Sequence, residues 1–306
     1  MIALEVLDEF SPLVEVILGT PESFGGTPKE DNIYDPKTLL NVKNGTFPME
    51  EAIKKELDAF HHVLTGYGVK VHRPEVFNSI NQIFARDIGM VIGDQFLLPQ
   101  ILDKRSEEQK GIRFIMDQID ANKLLKVGGS ARIEGGDVMP YRDHLFVGYS
   151  KKEDFDNYVV SRTNEEGVDF LIEHFKSWKV KSFELKKSDQ NPYENALHLD
   201  CCFQPIGKNK ALIYKAGFKN QSDVQWIINF FKPENIIEIN QEEMYNMNSN
   251  IFSISPEVIV SELKFERLNR QLRDWEFIVE EIPFSETAKM EGLLRCATLP
   301  LRRNYA

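Results

Sequence analysis

A mixed α/β fold, built by repeating one strand, strand, helix, strand unit, is what the sequence predicts. Short apolar, β-branched runs alternate with amphipathic helical patterns along the whole chain, and that order recurs about five times. The stretches from Asp87 to Leu98 and from Ser249 to Val260, each followed by a helix, look like the same unit twice. No proline-, glycine- or serine-rich linker and no low-complexity block divides the 306 residues, so residues 1–306 are expected to form one domain. Units of this kind closed into a ring would gather loops from distant parts of the sequence around one central mouth.

The individual elements follow from their periodicity. Leu13 to Gly19 is an apolar run rich in branched residues and is predicted as a strand. Pro48 to Leu64 opens on acidic residues and repeats its apolar positions at helical spacing. Helices are likewise expected over Ser106 to Ile119, Asn164 to Trp178, Ser222 to Phe231 and Lys264 to Asp274. Strands are expected over Val69 to His72, Ile88 to Ile92, Gln95 to Pro99, His144 to Tyr149, Val180 to Leu185, Ala211 to Tyr214, Asn235 to Ile239, Ile251 to Ile254, Val258 to Ser261 and Phe277 to Ile282.

Composition narrows the function. An apolar content of 42% is that of a chain able to bury a sizeable core. A formal charge of −11 and the lack of a sustained Lys/Arg cluster argue against nucleic acid and against an anionic membrane surface, which both demand positive charge. A small cationic molecule suits that balance better. The first residues carry no secretory signal pattern, and no run is long enough to span a bilayer. Three cysteines, two of them adjacent, make neither a disulfide framework nor a zinc site, so a reducing, cytoplasmic compartment is expected.

Three runs carry chemistry. Cys296 lies in Arg295-Cys296-Ala297-Thr298-Leu299-Pro300, between a glycine-containing approach and a Leu-Pro exit. A thiol works as a nucleophile only as thiolate, and a nearby imidazole is the usual means of moving its proton. His198-Leu199-Asp200 supplies an imidazole and a carboxylate at alternate positions, which on a strand face the same way. Glu134-Gly135-Gly136-Asp137 offers an acid beside paired glycines, expected to reach positive φ and to hold the acid against a ligand. A fourth acid, Asp87, follows Arg86 at the head of a strand, placed to accept two guanidinium N–H groups. Cys201 and Cys202 are expected to be packing residues, and the remaining histidines have no convergent partners, so no metal site is expected.

Together these runs resemble the guanidino-group-modifying enzymes, which include arginine deiminases, dimethylarginine dimethylaminohydrolases, agmatine deiminases and amidinotransferases. Phe84-Ala85-Arg86-Asp87, Ile133-Glu134-Gly135-Gly136-Asp137-Val138, His198-Leu199-Asp200 and Arg295-Cys296-Ala297-Thr298-Leu299-Pro300-Leu301 occur in that family's order. The resemblance implies the pentein fold, a five-bladed pseudo-symmetric α/β propeller of ββαβ units, with no cofactor. It implies Cys296 as nucleophile, His198 as general acid/base, and Glu134, Asp87 and Asp200 around the guanidinium. Arg105 and Lys152 are implied to hold a substrate carboxylate, Lys152 standing where such enzymes usually have arginine. The implied reaction is a C–N hydrolysis of arginine or a substituted arginine through a covalent thiouronium. The implied alternatives are an amidinotransferase and, from a different class, a non-catalytic propeller that binds proteins. A homodimer is a further family-level expectation.

Overall fold

The computed structural model describes residues 1–305 and contains five three-stranded sheets of one design. In each, an inner strand runs antiparallel to a middle strand, which runs parallel to an outer one. The inner, middle and outer strands of four sheets are β3 (Met90–Ile92), β4 (Gln95–Leu98) and β5 (Leu124–Lys126); β6 (Val138–Tyr141), β7 (His144–Tyr149) and β8 (Lys179–Glu184); β9 (Phe203–Ile206), β10 (Lys210–Ile213) and β11 (Ile236–Glu238); and β12 (Phe252–Ser253), β13 (Val258–Glu262) and β14 (Ile278–Ile282). The fifth joins the two ends of the chain. Its inner strand is β15 (Thr298–Arg303), paired with β1 (Leu13–Leu18), which runs parallel to β2 (Lys70–His72). This is the predicted five-unit α/β propeller, closed by a strand from the far end of the sequence.

Parallel pairing needs a crossover, and helices supply it. Between β1 and β2 lie α1 (Pro36–Lys43) and α2 (Glu50–Gly66). The latter buries Ile53, Leu57, Phe60 and Leu64, the stripe its sequence predicts. α3 (Arg113–Met116) is a single turn, α4 (Lys152–Asn157) and α5 (Glu165–His174) cover the third unit, α6 (Gln221–Phe231) the fourth, α7 (Gln241–Tyr245) joins β11 to β12, and α8 (Glu266–Asp274) covers the last.

Two expectations need correction. Asp103–Ile112 is a 3₁₀ segment running into α3, not one α-helix over Ser106 to Ile119. In 3₁₀ geometry residues i and i+3 eclipse, and Arg105 and Glu108 use that to form a two-bond ion pair, at 3.0 and 2.8 Å. The sequence also fails to show the strands β5, β6 and β15, and shows β9 only as a strand-like run ending at Phe203-Gln204-Pro205. Three of these are inner strands with a proline inside, Pro140, Pro205 and Pro300. Proline lacks the ladder N–H and so argues against a strand, except at a sheet edge. Each of these strands is the edge of its three-stranded sheet.

Candidate active site

The inner strands organise the site, because the residue run before each of the five bears a polar side chain turned toward one centre. Asp87 precedes β3, Glu134 precedes β6, His198 and Asp200 precede β9, Asn250 precedes β12 and Cys296 precedes β15. Five loops from five units thereby bring together residues more than two hundred positions apart. All six side chains are buried. A cavity of about 100 Å³ opens among them, lined by Asp87, His198 and Cys296 together with Arg105, Arg162 and Glu291. The segment that includes Phe24, Tyr34, Asp35 and Thr38 forms its other wall.

Cys296 is held from two sides. The side-chain amide of Asn250 accepts the Cys296 backbone N–H at 3.1 Å and donates to Sγ at 3.1 Å. Sγ lies 3.5 Å from Asp200 Oδ2, so the thiol proton points at a carboxylate. Burial first, and then the charges of Asp200 and Asp87, push the Cys296 thiol well above the ordinary thiol range. Both effects favour the neutral thiol at Cys296. A cation placed between those carboxylates would offset their field and favour thiolate.

His198 faces the other carboxylates. Its Nε2 is 2.9 Å from Glu134 Oε2, while Nδ1 lies 3.8 Å from Asp87 Oδ1, beyond hydrogen-bond range. Burial opposes charge on the ring, but Asp87, Asp137 and Glu134 outweigh it and raise the His198 pKa. For Glu134 burial likewise pulls upward, and Arg162, Arg105 and His198 outweigh it, holding its carboxyl well below the usual range. Both shifts favour a proton on His198 and a bare carboxylate on Glu134. The glycines beside Glu134 serve close approach and not the expected positive φ, which neither adopts. A Cβ on Gly136 would lie 2.6 Å from His198 Nδ1, and one on Gly135 2.0 Å from the Arg86 carbonyl oxygen.

Arg105 joins two of the predicted acids, donating from Nη1 to Asp87 Oδ2 at 2.8 Å and to Glu134 Oε2 at 3.1 Å. Arg162, absent from the sequence-based set, also donates to Glu134 Oε2 at 3.1 Å and stacks its guanidinium over Tyr34. Asp87, Glu134 and His198 bring three possible metal-ligand atoms within 4.8 Å of one another. Two guanidiniums already neutralise that cluster, and a divalent cation there would face both.

Two placements differ from expectation. Lys152 sits on α4 with its side chain 81% exposed and paired with Asp156, outside the cavity. Arg162, at the end of the return from that helix, lines the cavity in its stead. The His-Leu-Asp run is not a strand: Leu199–Cys201 is a 3₁₀ turn, so His198 and Asp200 do not share a face. His198 turns to Glu134, and Asp200 turns to Cys296 and to Arg295 Nη1, at 2.8 Å. Arg86, for its part, pairs with Glu9 at 3.7 Å and not with its neighbour Asp87. Cys201 and Cys202 pack in apolar clusters.

Asn250 and Glu291 were also missed. Asn250 lies two residues before β12, in the same run ahead of an inner strand that carries Asp87 ahead of β3. Glu291, at a left-handed φ of 59°, carries a carboxyl raised by burial and by Asp35, and accepts from Asn195 at 2.7 Å.

Five ββαβ units with this convergence define a pentein-fold member of the guanidino-group-modifying superfamily. Residues 20–302 match the family N,N dimethylarginine dimethylhydrolase, eukaryotic, and the chain belongs to that family. Among curated proteins it is similar to YkgA of Bacillus subtilis (strain 168), itself uncharacterized, at 30% identity over 226 residues, covering 72% of this chain and 70% of that one. It is also 22% identical to arginine deiminase of Oenococcus oeni, with 73% of this chain and 61% of that protein covered. Among solved structures, the N-terminal domain of ArgZ, an arginine dihydrolase from the ornithine-ammonia cycle in cyanobacteria, superposes with a TM-score of 0.77 at 19% identity, covering 95% of this chain and 98% of that one. SxtG, an amidinotransferase from Microseira wollei, gives 0.78 at 20% identity, covering 99% and 98%. At such identities the two structures speak for the fold. No helix among the described residues is long and apolar enough to cross a membrane.

Proposed function

We propose that the protein is a cysteine-dependent C–N hydrolase acting on the guanidinium of arginine or a substituted arginine. The observation that carries this reading is one cavity lined by Cys296, His198 and Asp87, with Cys296 Sγ backed by Asp200 and His198 backed by Glu134 behind its wall. Asp87, Glu134 and Asp200 accept N–H groups of the cationic substrate, whose charge favours loss of the Cys296 proton to solvent, where the ammonia or amine released later takes up a proton in balance. The thiolate attacks the guanidino carbon and forms a C–S bond. His198 then protonates the departing nitrogen as the C–N bond breaks, leaving a covalent thiouronium. Nδ1, with no carboxylate within hydrogen-bond range, is the nitrogen left to serve the substrate. Neutral His198 next takes a proton from water, whose oxygen attacks the same carbon. The C–S bond breaks, the sulfur recovers a proton, and the products are citrulline with ammonia or an alkylamine.

Arg105 and Arg162 both line the cavity, and a guanidinium fork matches a carboxylate in a way a lysine does not. They favour an α-amino-acid substrate. Family membership supports hydrolysis over transfer of the amidino group to an amine. We place the reaction in a single domain, residues 1–306, in a cytoplasmic protein; the three cysteines are free.

The test is product analysis by mass spectrometry, with L-arginine, monomethyl- and dimethylarginine and agmatine, each with and without an acceptor amine. A ureido product that takes its oxygen from solvent without acceptor supports the hydrolase. Product that forms only with acceptor and carries an amidino group makes it a transferase instead.

A further inference from the structure

A second and larger cavity lies outside the catalytic one. It is a cleft of about 690 Å³ between α7, the start of α8 and the turn after β14, and nothing in the proposed reaction uses it. In its wall stand Glu262 and Asn248, each more than nine-tenths buried. Glu262 Oε1 and Asn248 Oδ1 have no hydrogen-bond partner among the described residues. Buried polar atoms left in this way cost free energy and are exceptional in folded proteins. Both are acceptors, so what they lack is a donor. The other oxygen of Glu262 is occupied by the Lys264 backbone N–H.

Lys264 supplies the opposite chemistry two residues further on. Its ammonium lines the same cleft and meets only a neutral hydroxyl, Ser285 Oγ, at 2.9 Å. A carboxylate acceptor and a cation adjacent to one another match the ammonium and carboxylate of an amino-acid head group. Beyond them the exposed acids Glu242 and Glu266 line the cleft and suit a second positive charge. We propose that this cleft is a separate binding site for a basic α-amino acid, with its α-ammonium on Glu262 and Asn248, its α-carboxylate on Lys264 and its cationic side chain toward Glu242 and Glu266.

The site is not remote in effect. Lys37, on α1, lines the cleft and donates from Nζ to the Tyr245 carbonyl. Its backbone N–H points at Glu291 Oε2 at 3.5 Å, and Thr38 beside it lines the catalytic cavity. One helix is thus a wall of both chambers.

Calorimetric titration of the full chain carrying Cys296→Ser with L-arginine tests the proposal; only the choice of probe rests on the proposed function. Two equivalents are expected, falling to one on adding Lys264→Ala or Glu262→Gln, while Arg162→Ala weakens the other about ten- to a hundredfold. Lys264 is exposed, so its variant should keep the parent unfolding transition. A stoichiometry unchanged by both cleft variants overturns the second site. A single equivalent lost with Lys264→Ala but indifferent to Arg162→Ala keeps the cleft and sinks the catalytic reading.

Discussion

Arg295 and Arg105 are both buried guanidiniums among carboxylates, yet they serve different ends. Arg295 spends every N–H inside the protein: Nε and Nη2 on Glu9, at 3.1 and 3.0 Å, Nη1 on Asp200 and the Gly136 carbonyl, and Nη2 also on the Val138 carbonyl. It does not line the cavity. Its charge and that of Arg86 outweigh burial and hold the Glu9 carboxyl at about 2. Arg105 and Arg162 share Glu134 and do line the cavity. A guanidinium with all its donors satisfied fixes the turn that carries Cys296, whereas one that faces a chamber can meet a ligand. Burial and charge alone do not separate the two cases; the direction of the remaining donors does.

The largest effect expected on the catalytic side is that of Cys296→Ser. It should lower kcat/KM by at least about a thousandfold, as loss of a nucleophile does elsewhere. Its unfolding midpoint should stay near the parent's. Turnover that survives the change would remove Cys296 from the chemistry and make the convergence around it structural.

The matching experiment on the structural side is Arg295→Met. It strands Glu9 and Asp200 without their cation, and breaking a buried pair in this way costs about 3–5 kcal/mol. Chemical denaturation measures it. A loss below about 1 kcal/mol, the size of an exposed pair, would put Arg295 in the same class as surface ions. Arg162→Ala should be milder in stability, because Glu134 keeps Arg105 and His198 as partners. Its expected signature is kinetic instead: KM for an α-amino-acid substrate raised about ten- to a hundredfold, the worth of one or two charged hydrogen bonds. An unchanged KM would erase the distinction drawn between the two guanidiniums.

The two halves of the candidate site also differ in titration. Cys296 is raised by burial and carboxylates, so the folded protein holds that proton to higher pH than the unfolded chain does. Raised by its carboxylate neighbours, His198 likewise binds its proton more tightly when folded. The unfolded state then binds fewer protons from each group's ordinary pKa upward, and stability from both groups falls as pH rises through their folded values. Glu134 works in the opposite sense, its contribution fading on acidification below the ordinary carboxyl pKa. Thiolate absorbance of the parent minus Cys296→Ser should show no thiolate at neutral pH without ligand. A plateau already reached there would mean a resting thiolate, and the substrate's charge would have no part in activating it.

What the sequence made legible follows the same divide. Cys296, His198, Glu134 and Asp87 could be found because each sits in a short run whose neighbours are constrained too, such as the glycines that let the His198 ring close on Gly136. The propeller was legible from strand and helix alternation, while its axis was not, since Pro140 and Pro300 disguise inner strands as loops. Arg162 had no such run. It reaches the cavity because the chain leaves β7, makes the short α4 and comes back, with the Ser150 N–H donating to the Thr163 carbonyl and the Glu134 N–H to Thr163 Oγ1. That return is a tertiary fact, and no local pattern records it.

Lys152 and Arg162 therefore make the finest test of the comparison. They are ten positions apart, both cationic, and only one faces the chamber. Lys152 shares a surface ion pair with Asp156 one helical turn away at 3.0 Å, an interaction worth about 0.3–0.5 kcal/mol. Lys152→Ala should leave KM within about twofold of the parent and shift stability by no more than that pair is worth. If instead KM rose as far as in Arg162→Ala, α4 would have to unwind and swing Lys152 inward when substrate binds. The exposed position seen here would then be that of an open state, and the carboxylate would be held by a lysine after all.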